Sequence, residues 1–283
     1  MLLQIKDLPK DHNLVLFGDT HFGNPLTHYD GIKEVIYYIK SDRRAYSAFM
    51  GDGIEGITID DRRIDLQSNV SFPEQEKDDI KAELRPIKNK IIIYLIGNHE
   101  WKLLKFGNMA LAVCSDLKIP YGSFSAKLSI YNNDNLMYRL FLTHGAGSIN
   151  SRVRDASRRR LTMLENLKGK LFMLAGDCHV MAMGHTHKML TYSPEEQNGL
   201  FLTGEDKITQ HYELPATPEK GFIHPDFRWY INTGGFEKLY DAKLGELPIS
   251  GYAERMLLPP LELGFVVLKI RKGKIVDTEK IKV

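Results

Sequence analysis

Short apolar runs that stop at a glycine and a polar residue recur along the chain. Leu14-Val15-Leu16-Phe17 ends at Gly18-Asp19, Ala45 to Met50 at Gly51-Asp52, and Ile91 to Ile96 at Gly97-Asn98. Leu140 to Thr143 then ends at His144-Gly145, and Val180 to Met183 at Gly184-His185. Parallel strands present loops at their carboxyl ends in this way. Between the first two runs, Ile32, Val35, Ile36 and Ile39 repeat at helical spacing. Between the second and third, Pro73 opens an acidic stretch carrying Ile80, Leu84 and Ile87. The pattern predicts β-α-β-α-β.

Further on, Ala126 to Ile130 and Met137 to Phe141 alternate about Asn132-Asn133-Asp134-Asn135, the signal of a hairpin, so a mixed sheet is expected. Residues 191–228 contain four prolines and keep neither a helical nor a strand period, which reads as an insertion or long loop. Periodic sequence resumes at Trp229-Tyr230-Ile231, and Gly264 to Ile270 with Ile275-Val276 predicts a terminal hairpin around Lys272-Gly273-Lys274.

The chain's 283 residues allow one large domain or two small ones, and 43% hydrophobic content fills a sizeable core. A net charge of +2 gives no general attraction for nucleic acid or anionic lipid, so any such attraction is local. Cys114 and Cys178 form no CxxC and read as reduced core residues of a cytoplasmic protein. No apolar run approaches the roughly 18 residues of a membrane span, and the first residues meet Lys6 and Asp7 too early for an export signal. Neither export nor a membrane is therefore expected.

The five strand ends carry Gly-Asp-Thr-His (18–21), Gly-Asp-Gly (51–53), Gly-Asn-His-Glu (97–100), His144-Gly145 and Gly-His-Thr-His (184–187). In Asp19-x-His21 and His185-x-His187 the paired residues stand two apart, so on an extended segment they point the same way and can share one ion. Oxygen and nitrogen donors without thiolate suit Mn, Fe, Zn or Ni better than Ca or Mg. Gly-Asp and Gly-Asn are common turn pairs, and a single His beside a strand is more often a satisfied polar residue than a ligand. Five such motifs at successive strand ends, using half of the ten histidines, weigh against that bland explanation.

In order and spacing this series resembles the signature of the calcineurin-like metallophosphoesterases over residues 14–190, and Ile231 to Phe236 resembles the segment that follows GHxH there. The resemblance implies a four-layer αββα sandwich with mixed sheets, an α/β (α+β) fold, as one domain over 1–283 with the insertion at 191–228. It implies two divalent ions, Mn first among the candidates. Asp19, His21 and His187 would hold one, Asn98, His144 and His185 the other, and Asp52 would bridge them. A hydroxide between the ions would be the nucleophile, and His99 would stabilise the phosphate and protonate the leaving oxygen. In the family's protein serine/threonine phosphatases the second motif reads GDxxDRG, its later Asp orienting the catalytic His and its Arg holding phosphate. Here Glu55 takes the first of these positions and Gly56 the second. Asp19 to Gly23 instead looks like the DxHxG of phosphodiesterase and repair-nuclease branches, although those nucleases usually carry Asp where Glu100 stands.

Two features compete for attention. Gly176-Asp177-Cys178-His179 repeats the GDxH spelling but precedes its strand, where turn residues are expected. Five arginines within residues 152–160 read either as a solvated helix face or, through Arg152, Arg154 and Arg158, as a grip on substrate phosphate. Phe222, Phe227, Trp229 and Tyr230 read as packing residues before base-stacking ones. The expected activity is phosphodiester hydrolysis on nucleic acid or a nucleotide. The alternatives are a phosphomonoesterase and, behind it, a non-catalytic scaffold. The sequence names no protein partner.

Overall fold

Leu14 and Leu16 face one core while Val15 and Phe17 face another, as a strand buried on both sides requires. That strand belongs to a computed structural model describing residues 1–61, 64, 71–194, 197–203, 207–213, 221–240 and 257–283. Its elements begin with β1 (Leu2–Ile5), β2 (His12–Phe17), α1 (Tyr29–Ser41), β3 (Ala45–Phe49), α2 (Pro73–Leu84) and β4 (Ile91–Tyr94). There follow α3 (Asn98–Lys102), α4 (Met109–Leu117), β5 (Ser125–Asn132), β6 (Asn135–Thr143), α5 (Ala156–Leu171), β7 (Val180–Met183) and β8 (Met189–Tyr192). The last are β9 (Gln197–Thr203), β10 (Lys207–Glu213), β11 (Trp229–Thr233), β12 (Gly264–Arg271) and β13 (Lys274–Lys282).

Two mixed sheets form the centre, ordered β13-β12-β2-β3-β4 and β1-β5-β6-β7-β11-β8. β2, β3 and β4 run parallel, with Leu16 opposite Ala48 and Ala48 opposite Ile93, as the β-α-β-α-β pattern predicts. The sheets pack face to face through Leu14, Leu16, Ala48 and Met50 against Leu128, Leu140, Leu142, Val180 and Ile231. On the far side of the first sheet, Val15, Phe17 and Phe49 meet Ile32, Val35 and Ile39 of α1, Ile80 and Leu84 of α2, and Val113 and Leu117 of α4. On the far side of the second, Met181, Met183 and Tyr230 meet Leu167 and Leu171 of α5. The fold is thus a four-layer αββα sandwich. The β5–β6 hairpin turns at Asn133-Asp134, with Asn133 at a φ of 51°, which an asparagine tolerates.

The stretch 191–228, which reads as an insertion or long loop with no strand period, contains a hairpin. β9 and β10 pair antiparallel within it, Leu202 opposite Ile208, while 195–196, 204–206 and 214–220 lie outside the described residues. Among the described residues no helix is long and apolar enough to cross a membrane.

One charged group is buried at the price of stability. Glu76 of α2 is almost fully enclosed, its carboxylate accepting from the Gly56 N–H at 2.8 Å. Burial, reinforced by nearby Glu55, pushes its pKa up to about 8. The unfolded chain releases this proton near the ordinary 4.5, so the folded chain binds more protons between those values. This contribution to stability is therefore lost as pH rises from about 4.5 to 8. Glu76→Gln, which keeps the acceptor and the volume, is expected to gain on the wild type by about 1 to 3 kcal/mol between pH 5 and pH 8 in chelator-treated protein. Urea denaturation at the two pH values checks this; a difference that stays constant contradicts it.

Candidate metal centre

The strand-end loops continue the sheet pairing beyond the strands. Asp19 N–H donates to Gly51 O at 2.8 Å, Thr20 and His21 N–H to Asp52 O at 2.9 and 3.1 Å, and Phe22 N–H to Gly53 O at 2.9 Å. From the second sheet, Gly184 N–H donates to His144 O at 3.1 Å, and Phe236 N–H reaches Asp19 O across the sandwich at 3.0 Å. Loops from both sheets therefore meet at one edge. Their closeness depends on glycine: a Cβ on Gly97 would fall on the Asp52 carboxylate, and one on Gly184 would stand 2.7 Å from Asp19 Oδ2.

The side chains so delivered fall into three overlapping groups, Asp19/His21/His187, His21/Asp52/His99 and Asp52/His144/His185. Within each, one donor atom per residue lies within 4.8 Å of the others, a spacing that lets each group hold a metal ion. Asp52 and His21 each belong to two groups. Asn98 joins the last, its Oδ1 at 2.9 Å from His144 Nε2, which also lies 3.1 Å from Asp52 Oδ2. The structure thus brings together all seven residues singled out as ligands.

The outer ring nitrogens are occupied. His144 Nδ1 donates to Met50 O at 2.8 Å, and His21 Nδ1 donates to the Glu55 carboxylate at 3.0 Å. His187 Nδ1 lies 3.5 Å from Glu237. Their Nε2 atoms face inward, those of His21 and His187 only 3.2 Å apart. Imidazoles steered through one nitrogen so that the other converges on carboxylates are the pattern of metal-binding histidines. The backbone carries strain at the same residues: Asp19, His21, Asp52, His185 and His187 all have φ between 46° and 69°. Left-handed backbone of this kind costs about 1 kcal/mol or more per residue and persists where the surroundings impose it, as at functional sites.

The charges are tightly balanced. Burial raises Asp19, which sits at about 7 despite the pull of His144. Burial also works to raise Asp52, but the imidazoles of His144, His99 and His21 outweigh it and hold that carboxyl well below its usual range. Against the same desolvation, the hydrogen bond to Glu55 and the charges of Glu237 and Asp52 carry His21 up to about 10, and Asp52 chiefly carries His144 up to about 9. Burial and the charge of His21 lower His187 well below its ordinary value. Protons on His21 and His144 thus balance the carboxylates, and a bound cation would displace them.

His99 Nδ1 donates to the backbone carbonyl of Glu55 at 2.6 Å, and its N–H donates to Asp52 Oδ1 at 2.8 Å. The Glu55 carboxylate stands 3.6 Å from His99 but 3.0 Å from His21, so it orients His21 more directly than the His99 it was expected to support. Arg152, Arg154 and Arg158 are exposed, and among the described residues no hydrogen bond or ion pair joins them to a candidate ligand. Asp177 is engaged by Lys127 at 2.5 Å, and His179 Nδ1 accepts from the Arg139 N–H at 3.2 Å, so GDCH is spent on local packing. Tyr230 lies wholly in the core.

Two contributors, Glu237 and Asn24, escaped the sequence, and a third, Glu100, was seen in its motif without a role. Glu237 stands behind His187, and Asn24 donates to Glu55 at 3.3 Å and to Glu237 at 3.1 Å, tying the two together. Glu100 accepts from the N–H groups of Gly53, Gly97 and Asp52 at 2.7, 3.0 and 3.2 Å, holding the loop that bears Asp52. Outer supports of this kind are worth about 10- to 100-fold in metal affinity. Glu237→Gln is therefore expected to weaken Mn binding by that factor without unfolding the protein, as read by calorimetric titration; unchanged affinity would remove Glu237 from the centre.

No protein-family model matches the chain, and no curated protein is similar to it. Among solved structures, the chain is similar to the crystal structure of Vps29 from Chaetomium thermophilum. The two are 10% identical over 95% of this chain and 97% of that one, with a TM-score of 0.34.

Proposed function

We propose that this chain is a two-metal phosphoester hydrolase acting on phosphodiesters. The observation that carries the reading is the convergence of seven donor side chains on one edge, five of them on strained left-handed backbone. When bound, two divalent ions supply Lewis acidity, an activated water and a template for the phosphate. Asp19, His21 and His187 would hold one ion, Asn98, His144 and His185 the other, with Asp52 shared.

The remaining residues carry the rest. His99, fixed at its Nδ1 by Glu55 O, presents Nε2 to the leaving oxygen. Without bound ions, burial and the charge of His21 lower its pKa to about 4. Gly56, at a φ of 65°, is a strained place for any side chain, and a Cβ there would be tight, 3.1 Å from Leu103 Cδ1 and 3.3 Å from His99 O. A monoester dianion needs that cation more than a diester, which carries one negative charge.

The test is a rate comparison with Mn on bis-p-nitrophenyl phosphate, p-nitrophenyl phosphate, single-stranded DNA and double-stranded DNA. Faster cleavage of the diester than of the monoester is expected. The reverse order would assign a phosphomonoesterase, and no cleavage of any of the four would return the chain to the scaffold reading.

A further inference from the structure

Trp101 follows directly on Asn98, His99 and Glu100, yet its side chain is not drawn into the core: it is 55% exposed. An isolated exposed aromatic residue is ordinary, but this one has a particular position. Three residues beyond Asn98 on α3, it lies on the same helix face as that candidate ligand. Its indole meets Phe124 edge to face, ring centroids 6.2 Å apart and planes at 85°. Phe124 in turn meets His144 edge to face at 5.4 Å. Three rings thus touch in succession, His144, Phe124 and Trp101, from a candidate metal ligand to an exposed side chain. The backbone of Phe124 is tied to the same ligand, its carbonyl accepting from the His144 N–H at 2.9 Å.

An edge-to-face contact covers at most one face of the indole. With more than half of its surface open, the indole leaves area exposed to solvent one ring beyond Phe124 from His144 and one helical turn from Asn98. Flat π-faces next to a phosphate site take nucleobases, which stack on aromatic side chains whatever their hydrogen-bonding pattern. A ribose carries base and phosphate on one small ring, so phosphate at the metals leaves the base within reach of a neighbouring platform.

We propose that Trp101, backed by Phe124, is the stacking platform for the base of a nucleotide substrate whose phosphate sits on the Asn98, His144 and His185 side of the centre. This deepens the phosphodiesterase reading and rests on it. Trp101 selects substrate by its retained base and takes no part in bond breaking.

The full chain with Mn is assayed on the p-nitrophenyl ester of thymidine 5′-phosphate and on methyl p-nitrophenyl phosphate, which share a leaving group and differ in the retained group, a nucleoside in one and a methyl in the other. Trp101→Ala is expected to raise KM for the thymidine ester by about 5- to 150-fold with little change in kcat, and to leave the methyl ester alone. Trp101→Phe should retain most of the wild-type KM. Equal effects on both esters, or on neither, overturn the proposal. Indole fluorescence gives a second readout: AMP should quench it and ribose 5-phosphate should not, with Trp101→Phe reporting the Trp229 background. Equal quenching by the two also overturns the platform. If the wild type cleaves neither ester, the hydrolase reading fails, and the quenching experiment alone decides the stacking site. A single-stranded thymidine oligomer that quenches at lower concentration than thymidine monophosphate assigns the base to a strand; equal quenching assigns it to a free nucleotide.

Discussion

Asp52→Asn is expected to strip ions from both halves of the centre and to lower kcat/KM on a phosphodiester by about a thousandfold or more, the several kcal/mol that metal-ion charge stabilisation supplies. Asp52 contributes to two of the three donor groups, one containing His21 and the other His144 and His185. Its Oδ2 lies 3.1 Å from His144 Nε2, and its Oδ1 accepts the His99 N–H at 2.8 Å. An asparagine has the same size and can still accept that N–H, so the loop should survive while the negative charge is lost. The comparison is His187→Asn, which touches one group alone and should leave the other ion in place. Elemental analysis together with turnover checks both variants. An Asp52→Asn protein that keeps its metal content would show that the carboxylate bridges nothing.

His99→Asn should behave differently. Its ring is placed by Glu55 O, lies 3.6 Å from the Glu55 carboxylate and meets His21 edge to face at 4.6 Å; with His99 assigned to proton transfer and the seven other residues to the ions, metal content should match the wild type. General acid catalysis is worth about a hundred- to ten-thousandfold, and the loss should fall in that range on a diester with an alkyl leaving group. With p-nitrophenolate, which departs without protonation, the loss should be much smaller. Steady-state rates on the two substrates make the distinction; equal losses would mean that His99 orients the phosphate and transfers no proton.

The contrast between these two residues and Glu237 marks what the sequence makes legible. Asp52 follows Gly51 and His99 stands two past Gly97, each at the end of an apolar run, and a strand period together with a glycine is a local signal. Asp19-x-His21 is such a signal too, and its two side chains fall in one donor group, whereas His185 and His187, spaced alike, fall in different groups; the four-layer sandwich is implied by the family resemblance, and strands buried on both faces, such as Leu14 to Phe17, fit it. Glu237 lies 50 positions from His187, and nothing around it tells a carboxylate aimed at an imidazole from one in water. Glu76 stands in an acidic helix whose other carboxylates are solvated, and only its packing against Gly56 reveals the burial. The short strand β1 escaped because its pairing partner, β5, lies more than a hundred residues away. The β9–β10 hairpin escaped because its strands, set among prolines and a glycine, keep no strict alternation. Glu55 was placed in the right site by its position in the motif, but its carboxylate turns to His21, a choice of rotamer that spacing does not encode.

We propose that the two-sheet edge holds a pair of ions sharing Asp52. Chelator-stripped protein, titrated with Mn and analysed by calorimetry with elemental analysis of the dialysed complex, tests it most directly. Two ions per chain are expected for the wild type and fewer than one for Asp52→Asn. A wild type that binds no Mn, or a single ion that Asp52→Asn retains, would contradict it.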